Sequence, residues 1–216
     1  MFNSMEYRVR RLELAADAQR LMGLYAHELS LGEYDKIPEL FALDTETVSA
    51  EMLWGRYEGR AGIEKLYRRG FPLLRDAGGT AVTETLQALE VPIISPAKDC
   101  LTVKAVWVCP GYYTLRKPDG TETGFWSWQK YACDFIVCDG VLKIWHLHTY
   151  GLFETEYLSD DLIESGIWQK APEKLPPELL PDTPPTTQFH LSPESVYPHT
   201  PEIPKPYTVF DMDRRY

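Results

Sequence analysis

The stretch GFWSWQKYACDFIVCDGVLKIWHLHTYGLF, residues 124–153, decides the fold of this chain. Two runs within it, 125–137 and 141–150, are dense in aromatic and β-branched residues. Such side chains favour a pleated, half-buried surface, and the intervening Asp139-Gly140 is a frequent hairpin turn. The sequence therefore predicts a β-hairpin, to which the other elements of the chain are added.

The register of this hairpin decides which side chains share a face. A three-residue loop, 138–140, places Lys130 opposite His148. A two-residue turn shifts the pairing by one residue and exchanges the faces, so that Tyr131 lies opposite His148. We favour the three-residue loop, which gathers polar side chains on one face: Trp128, Lys130, Asp134, His146 and His148.

Bulk composition bounds the class of protein. The chain has 216 residues, of which 44% are hydrophobic and 12% aromatic, enough for a real core. A net charge of -10 argues against a nucleic-acid or anionic-membrane surface. The four cysteines form no CxxC pair, which favours buried thiols over zinc or disulfides. Without an apolar leader or a membrane-length apolar stretch, the sequence predicts a cytoplasmic protein.

Helices are predicted before the hairpin. Apolar positions recur every three or four residues from Leu14 to Leu31, which indicates an amphipathic helix with Tyr25 facing inward. Gly32 ends this helix, and a shorter one follows with Ile37, Leu40 and Phe41 on its buried side. A third helix is predicted over 63–74, after a strand over 47–53 and a turn over 55–59.

Strands and then a proline-rich tail complete the chain. Residues 83–94 and 101–109 alternate like strands, and a short helix is predicted over 160–168. Eleven of the 17 prolines fall between residues 172 and 206, which excludes regular helix or central strand there. Interleaved aromatics indicate an arm anchored on the domain: Phe189, Tyr197, Tyr207 and Phe210.

This order of elements resembles the SnoaL-like branch of the NTF2-like superfamily, the cone fold of scytalone dehydratase and ketosteroid isomerase. The segments that carry the resemblance are YAHELSLGEYDKIPELF (25–41), WGRYEGRAGIEKLY (54–67), VPIISPAKDCLTVKAVW (91–107) and CDGVLKIWHLH (138–148). The resemblance implies an α+β fold in which a curved mixed or antiparallel sheet wraps around three N-terminal helices and encloses a conical pocket. Relatives dehydrate, isomerise, cyclise or hydroxylate small cyclic molecules there, and some only bind them.

This chain departs from the pattern of the family at two catalytic positions. In the dehydratases of the group, an Asp after the first helix and a His at the head of the first long strand perform acid–base chemistry, helped by Tyr. Ser30 and Gln87 stand at the matching places in this chain. Neither side chain is a base near neutral pH, so the mechanism of those relatives does not transfer directly.

His146 and His148 are the leading candidates for catalysis. Strict alternation places them on one strand face, where Asp134 would orient one ring and Lys130 would assist and lower the pKa of His148. Two histidines lack a third metal ligand unless Asp134 supplies it, so we predict no metal and no cofactor. In the alternative, the opposite face lines the pocket with Tyr131, Cys133, Trp145 and Leu147, and both histidines are structural.

Amphipathic aromatic side chains are abundant and would stack on a flat cyclic ligand. Together with the amide of Gln87 they make up the predicted ligand-binding residues: Tyr25, Trp54, Tyr57, Gln87, Trp107, Trp128, Tyr131 and Trp145. Glu28 is a further carboxylate near the predicted pocket mouth, where a solvated position is the simpler interpretation.

These features lead to two hypotheses about function. The first is a cofactor-independent lyase or isomerase with dehydratase-like acid–base chemistry on a small aromatic or cyclic compound. The second is a non-catalytic binding or assembly module that keeps the cone. We predict a SnoaL-like domain over 1–158 and a Pro-rich extension over 159–216 that packs on the domain or on a partner subunit. A homodimer is expected because Trp126, Trp128, Ile136 and Ile144 would form an apolar outer face.

Overall fold

The computed structural model describes residues 4–76, 81–116, 119–156, 175–187 and 200–216, with only the backbone of 76 and 81–84. Its helices are α1 (Met5–Leu31), α2 (Gly59–Glu64) and α3 (Phe71–Asp76), with a 3-10 helix at Tyr34–Leu40 and a π-helix at Lys65–Gly70. Its strands are β1 (Ser49–Met52), β2 (Gly55–Glu58), β3 (Ala81–Gln87), β4 (Glu90–Pro96), β5 (Thr102–Arg116), β6 (Glu122–Cys138) and β7 (Val141–Glu156). Short 3-10 turns follow at Pro177–Leu179 and Met212–Arg214.

The seven described strands form one mixed sheet. The strand order is β2-β1-β7-β6-β5-β3, and β4 pairs with β5 beside β3. β1 runs parallel to β7, and the other pairs are antiparallel. One side of the sheet packs against α1 and the helices that follow it, and this side is called the concave face. The predicted α+β class, with a curved sheet around N-terminal helices, is confirmed.

α1 forms as its apolar period predicts, but it is longer than predicted. Ser4 caps the helix by accepting a hydrogen bond from the backbone N–H of Tyr7, ten residues before the first predicted apolar position. Its buried stripe comprises Leu14, Ala18, Met22, Tyr25, Ala26 and Leu29. Gly32 ends the helix in the left-handed conformation, with φ of 73°. The inward position predicted for Tyr25 is therefore confirmed.

Two strand predictions differ from the structure. Residues 55–59, predicted as a turn, contain β2, because Met52 pairs directly with Gly55 across a tight turn. The single strand predicted over 83–94 is divided into β3 and β4, which pair with different parts of β5. Apolar and polar residues alternate within each half as predicted. The break between the two halves could not be predicted, because the composition changes little there.

The predicted register of the β6–β7 hairpin is wrong at the turn. Cys138 pairs with Val141, and Asp139 and Gly140 both have positive φ (48° and 83°), as a two-residue type I′ turn requires. Trp145 is then the extra residue of a β-bulge, because Ile144 pairs with Phe135 while His146 pairs with Asp134. The bulge places His146 and Asp134 on the same face after all.

The bulge also breaks the strict alternation predicted for β7. Leu142 and Ile144 lie in the core on the concave face, whereas His146 and His148 lie on the opposite, convex face. Beyond the bulge the concave positions are odd-numbered, and Leu147 joins the core. Ile144 therefore cannot belong to the outer apolar face that was predicted for dimerisation.

The described parts of the Pro-rich extension lie against the domain. The carbonyl groups of Tyr207 and Thr208 accept hydrogen bonds from the backbone of Lys98 and Asp99. The Phe210 ring packs on Trp145, with ring centroids 4.6 Å apart. Phe189, Tyr197 and the helix predicted over 160–168 lie outside the described residues. Among the described helices, none combines the length and the apolar composition needed to cross a membrane.

Candidate functional site in the concave cavity

A cavity of about 110 Å³ lies between α1, the short helices and the concave face. Its wall is mainly aromatic and aliphatic, and it includes Tyr25, Trp54, Phe71 and Tyr131. A protein cavity of roughly 150 Å³ holds benzene, so this space suits a single six-membered ring rather than a polycyclic compound. Arg75 is the charged residue of the described lining.

Tyr25 and Tyr131 line the cavity, and Tyr67 contacts Tyr25 next to it. The hydroxyl groups of Tyr25 and Tyr67 are 3.1 Å apart, and the rings of Tyr25 and Tyr131 meet edge to face with centroids 6.0 Å apart. Burial raises the pKa of all three tyrosines well above its ordinary value. These side chains therefore stay neutral, and they can donate hydrogen bonds but cannot act as bases.

Ser30 and Gln87, which the family resemblance paired, are adjacent in the structure. The Gln87 backbone N–H donates to Ser30 Oγ at 3.4 Å, and Ser30 Oγ donates to the Ala26 carbonyl at 2.8 Å. Gly111 makes room for the Gln87 side chain, because a Cβ there would lie 2.7 Å from Gln87 Oε1 and 2.4 Å from the Leu86 carbonyl oxygen. Gln87 is thus held at the cavity wall by its backbone.

Polar atoms without hydrogen-bond partners are concentrated on the concave face. Buried polar groups in proteins are nearly always paired, so each exception needs an explanation. In the described part of the chain, five of the eight unpaired buried side-chain atoms share this face: Gln87 Oε1, Ser127 Oγ, Thr149 Oγ1, Glu154 Oε1 and Glu154 Oε2. Gln87 and Thr149 line the cavity itself. A polar ligand is the natural partner for such a row of atoms.

Glu154 extends this row and was missed by the sequence reasoning. A second bulge, at Leu152, turns the Glu154 side chain to the concave face opposite Ser127. Only 4% of its surface is exposed. Burial raises the pKa of the Glu154 carboxyl to about 7, partly opposed by the neighbouring Tyr113 hydroxyl. Glu154 follows the predicted end of the hairpin at Phe153, where a glutamate indicates solvent rather than a pocket.

The four predicted catalytic residues lie on the convex face, outside this cavity. Asp134 is fully buried and accepts hydrogen bonds from Lys104 Nζ at 2.7 Å and from the backbone N–H of Tyr216 at 2.9 Å. His146 Nδ1 lies 3.0 Å from the other side of the same carboxylate, while His146 Nε2 has no described partner. Lys130 is opposite Tyr150 rather than His148.

His148 is held by a second buried polar cluster on the convex face. Its Nε2 lies 3.1 Å from Thr187 Oγ1 and 3.3 Å from Glu51 Oε1. Glu51 also pairs with Arg56 at 2.8 Å and accepts hydrogen bonds from Thr186. Burial lowers the pKa of His148 to about 4, opposed by Glu51 and reinforced by Arg56. The lowered pKa was predicted, but its cause is burial and not Lys130.

The predicted ligand-binding residues divide between several places. Four of them line the cavity: Tyr25, Trp54, Gln87 and Tyr131. Tyr57 lies behind Trp54 and accepts a hydrogen bond from its indole at 3.0 Å. Trp107 is buried in the core against Phe135, and Trp128 and Trp145 lie on the convex side, where Trp128 stacks on Phe153. Within the described residues, no three His, Cys, Asp or Glu side chains converge as metal ligands.

The described geometry is that of a cone with a small, partly polar cavity on its concave face, and the comparisons agree with this fold. The family described as "SnoaL-like domain" matches residues 10–148. The chain therefore belongs to the SnoaL-like family, within the NTF2-like superfamily. No curated protein matches the chain at a significant level.

Solved structures share the fold at low sequence identity. Hexachlorocyclohexane dehydrochlorinase LinA-type3 from Novosphingobium barchaimii LL02 is 13% identical over 72% of this chain and 98% of its own, with a TM-score of 0.56. A protein of Novosphingobium aromaticivorans provisionally named scytalone dehydratase is 13% identical over 74% and 95%, with a TM-score of 0.54. A second protein of that organism, provisionally named an aromatic ring hydroxylase, is 16% identical over 68% and 95%, with a TM-score of 0.53.

Proposed function

We propose that this protein is a cofactor-independent lyase or isomerase that acts on a small single-ring compound bearing polar substituents. The observation that carries the proposal is an aromatic-walled cavity whose lining includes two unpaired buried polar atoms, Gln87 Oε1 and Thr149 Oγ1, with three more on the same face of the sheet. Such atoms are costly to bury without a partner, and a polar ligand in the cavity would supply one. The small volume of the cavity favours one ring over two.

The reaction class draws support from the family and from the names of its structural relatives. A dehydrochlorinase and a provisionally named dehydratase both carry the names of elimination enzymes, and the first is named for a cyclohexane derivative. Elimination and isomerisation each need a proton acceptor, a proton donor and a group that stabilises developing negative charge. Neutral tyrosine hydroxyls supply the donors here.

Arg75 adds a positive charge at the cavity. Its Nη1 donates to the Leu31 carbonyl at 3.3 Å, at the end of α1. Gly32 makes this contact possible, because an added Cβ would lie 1.4 Å from the guanidinium. Among the described residues no carboxylate forms an ion pair with Arg75, which leaves the guanidinium to stabilise an oxyanion or a carboxylate of the ligand.

A binding experiment with matched variants tests the location of the site. Phenol is a suitable probe, since it is one ring with one hydroxyl group. We expect phenol to raise the melting temperature of the parent and of Thr155→Phe, whose substitution lies on the convex side of β7. Thr149→Phe fills the concave cavity and should abolish the shift. Stabilisation that persists in Thr149→Phe, or that is absent from the parent, would contradict the proposal.

A second candidate function is a binding module without catalysis. It is favoured by Ser30 and Gln87, which occupy the places of the dehydratase acid–base pair and contact each other. The two functions differ in turnover. If the parent binds phenol but neither isomerises nor dehydrates any single-ring alcohol or ketone that it binds, the binding module is the better account.

We also propose a homodimer, in which a second copy covers an aromatic patch on the convex side of β5, β6 and β7. The patch consists of Tyr112, Trp126, Trp128 and Phe153, whose rings form a continuous chain. Trp126 is 40% exposed, and exposed patches of this kind often form interfaces. Sedimentation at micromolar concentration should show a dimer for the parent and a monomer for Trp126→Ser. A monomeric parent would contradict this.

A further inference from the structure

We propose that Tyr113 and Glu154 form the proton-transfer pair of the concave cavity. In this arrangement Tyr113 contacts the ligand, and Glu154 holds or releases the proton behind the Tyr113 hydroxyl. Tyr113 is then the catalytic residue, whereas Glu154 acts through it as a positioning and proton-holding residue. The inference rests on the proposed function, because it assigns chemistry to the same cavity.

The sheet brings the two side chains together. Tyr113 lies on β5, lines the cavity and stacks on Phe125 with ring centroids 5.1 Å apart, which restrains its ring. Glu154 lies on β7, where it pairs with Ser127 of β6, and Ser127 pairs in turn with Gly111 of β5, two residues before Tyr113. Ser127 and Gly111 are both small, so they leave room beside the Glu154 carboxyl. That carboxyl has the Tyr113 hydroxyl as a neighbour but forms no close hydrogen bond among the described residues.

The surroundings of Glu154 allow it to exist in either protonation state near neutral pH. It is buried, and among the described residues no cation forms an ion pair with it. Tyr113 faces it from β5 and Ser127 from β6, while Glu156 follows two residues later on its own strand. Burial disfavours the charged form and the Tyr113 hydroxyl favours it, which brings the pKa to about 7. A proton acceptor works best when its pKa lies near the working pH.

The proton-transfer step balances without any co-reactant. A substrate C–H bond next to a ring carbonyl breaks, and its proton passes to Tyr113 Oη while the Tyr113 hydroxyl proton passes to the Glu154 carboxylate. The electron pair of the broken bond remains on the substrate as an enolate. Reverse transfer to a different carbon completes an isomerisation, and departure of a neighbouring hydroxide, protonated as it leaves, completes a dehydration.

The test uses 3-cyclohexen-1-one, which isomerises to 2-cyclohexen-1-one when one proton moves and the double bond shifts. We expect Glu154→Gln and Tyr113→Phe each to lower kcat/KM by about 100-fold, and the double variant to be no slower than either, because the two side chains act as a unit. Glu156→Gln is the matched control and should change little. The rate of the parent should rise with pH through about 7, and Glu154→Gln should lose that dependence.

Infrared titration of the Glu154 carboxyl, assigned by difference from Glu154→Gln, provides a readout independent of turnover. Tyr113→Phe should raise the pKa of this carboxyl, because the neighbouring hydroxyl that favours the ionised form is gone. Phenol binding should also shift the band. A carboxyl unaffected by Tyr113→Phe and by bound phenol overturns the pair, and so does a Glu154→Gln variant with the rate and pH profile of the parent. If phenol still binds in either case, the proposed function stands without the pair. If phenol does not bind at all, both the proposed function and the pair are overturned.

Discussion

The two faces of the same sheet bury polar side chains in opposite ways. On the convex face, Asp134 and Glu51 are surrounded by donors from Lys104, Arg56 and the backbone of the C-terminal extension. On the concave face, buried polar atoms of similar kind have no partner among the described residues. His146 Nε2 is the exception on the convex side. The comparison leads us to propose that unsatisfied hydrogen-bonding capacity on the face that holds the cavity, rather than burial or charge alone, marks the candidate site.

The largest effect should come from breaking a satisfied convex pair. Asp134→Asn leaves the Lys104 ammonium buried with a neutral partner, so we expect a loss of about 3–5 kcal/mol in the free energy of unfolding. Chemical unfolding monitored by fluorescence measures it. Asp44→Asn is the control, because its ion pair with Arg60 is exposed and should matter far less. A small effect of Asp134→Asn would mean that the convex cluster is not a stabilising network.

His148 should make the protein sensitive to acid. Its folded pKa of about 4 lies below the ordinary 6.5, so the neutral ring is favoured in the folded state. The resulting stability is complete above pH 6.5 and is lost as the pH falls towards 4, by about 3 kcal/mol at most. Unfolding measured across this range should show a weaker acid dependence in His148→Gln. An identical dependence in parent and variant would contradict the burial of the neutral ring.

Glu154 should give the opposite dependence on the concave face. Its folded pKa of about 7 lies above the ordinary 4.5, so the protonated form is favoured in the folded state. That contribution is complete below pH 4.5 and is lost as the pH rises through 7, by about 2–3 kcal/mol. Glu154→Gln should match the parent at pH 4.5 and exceed its stability above pH 7. A variant that is less stable than the parent at pH 8 would show that the carboxylate is stabilised by more than the neighbouring Tyr113 hydroxyl.

The smallest expected effect gives the most direct comparison of the two faces, because the same Thr→Val substitution can be made on each face. Thr102 Oγ1 lies 3.1 Å from the Tyr207 hydroxyl on the convex side, whereas Thr149 Oγ1 on the concave side has no partner. Thr102→Val should cost about 1–2 kcal/mol, since it leaves the half-buried Tyr207 hydroxyl unpaired. Thr149→Val should be neutral or stabilising by up to about 1 kcal/mol. Equal costs in the two unfolding experiments would remove the distinction between the faces.

Much of the fold could be predicted from the sequence because it depends on local periodicity. The 3.6-residue stripe of α1 and the dense strand runs around Asp139-Gly140 report burial directly. The bulges at Trp145 and Leu152 could not be predicted in this way. A bulge is a property of two paired strands, and each one exchanges the faces of all the residues that follow it.

The same bulges explain why the candidate site was only partly predicted. Tyr25, Trp54, Gln87 and Tyr131 line the cavity as the aromatic pattern and the family resemblance suggested. The first bulge carries the two histidines to the convex face, and the second turns Glu154 inward. Histidine and tryptophan are also readily chosen as candidate site residues from a sequence, whereas a glutamate at the end of a strand is usually assigned to solvent.

The most direct test of the central claim is to map a bound ligand onto the two faces of the sheet. Backbone amide chemical shifts of the ¹⁵N-labelled protein, recorded by NMR during titration with phenol, report both faces in one experiment. We predict saturable shifts at Gln129, Tyr131 and Thr149, with His146 and His148 unchanged. Shifts confined to the histidines and the extension that covers them would contradict the account, and would make the convex face the functional one.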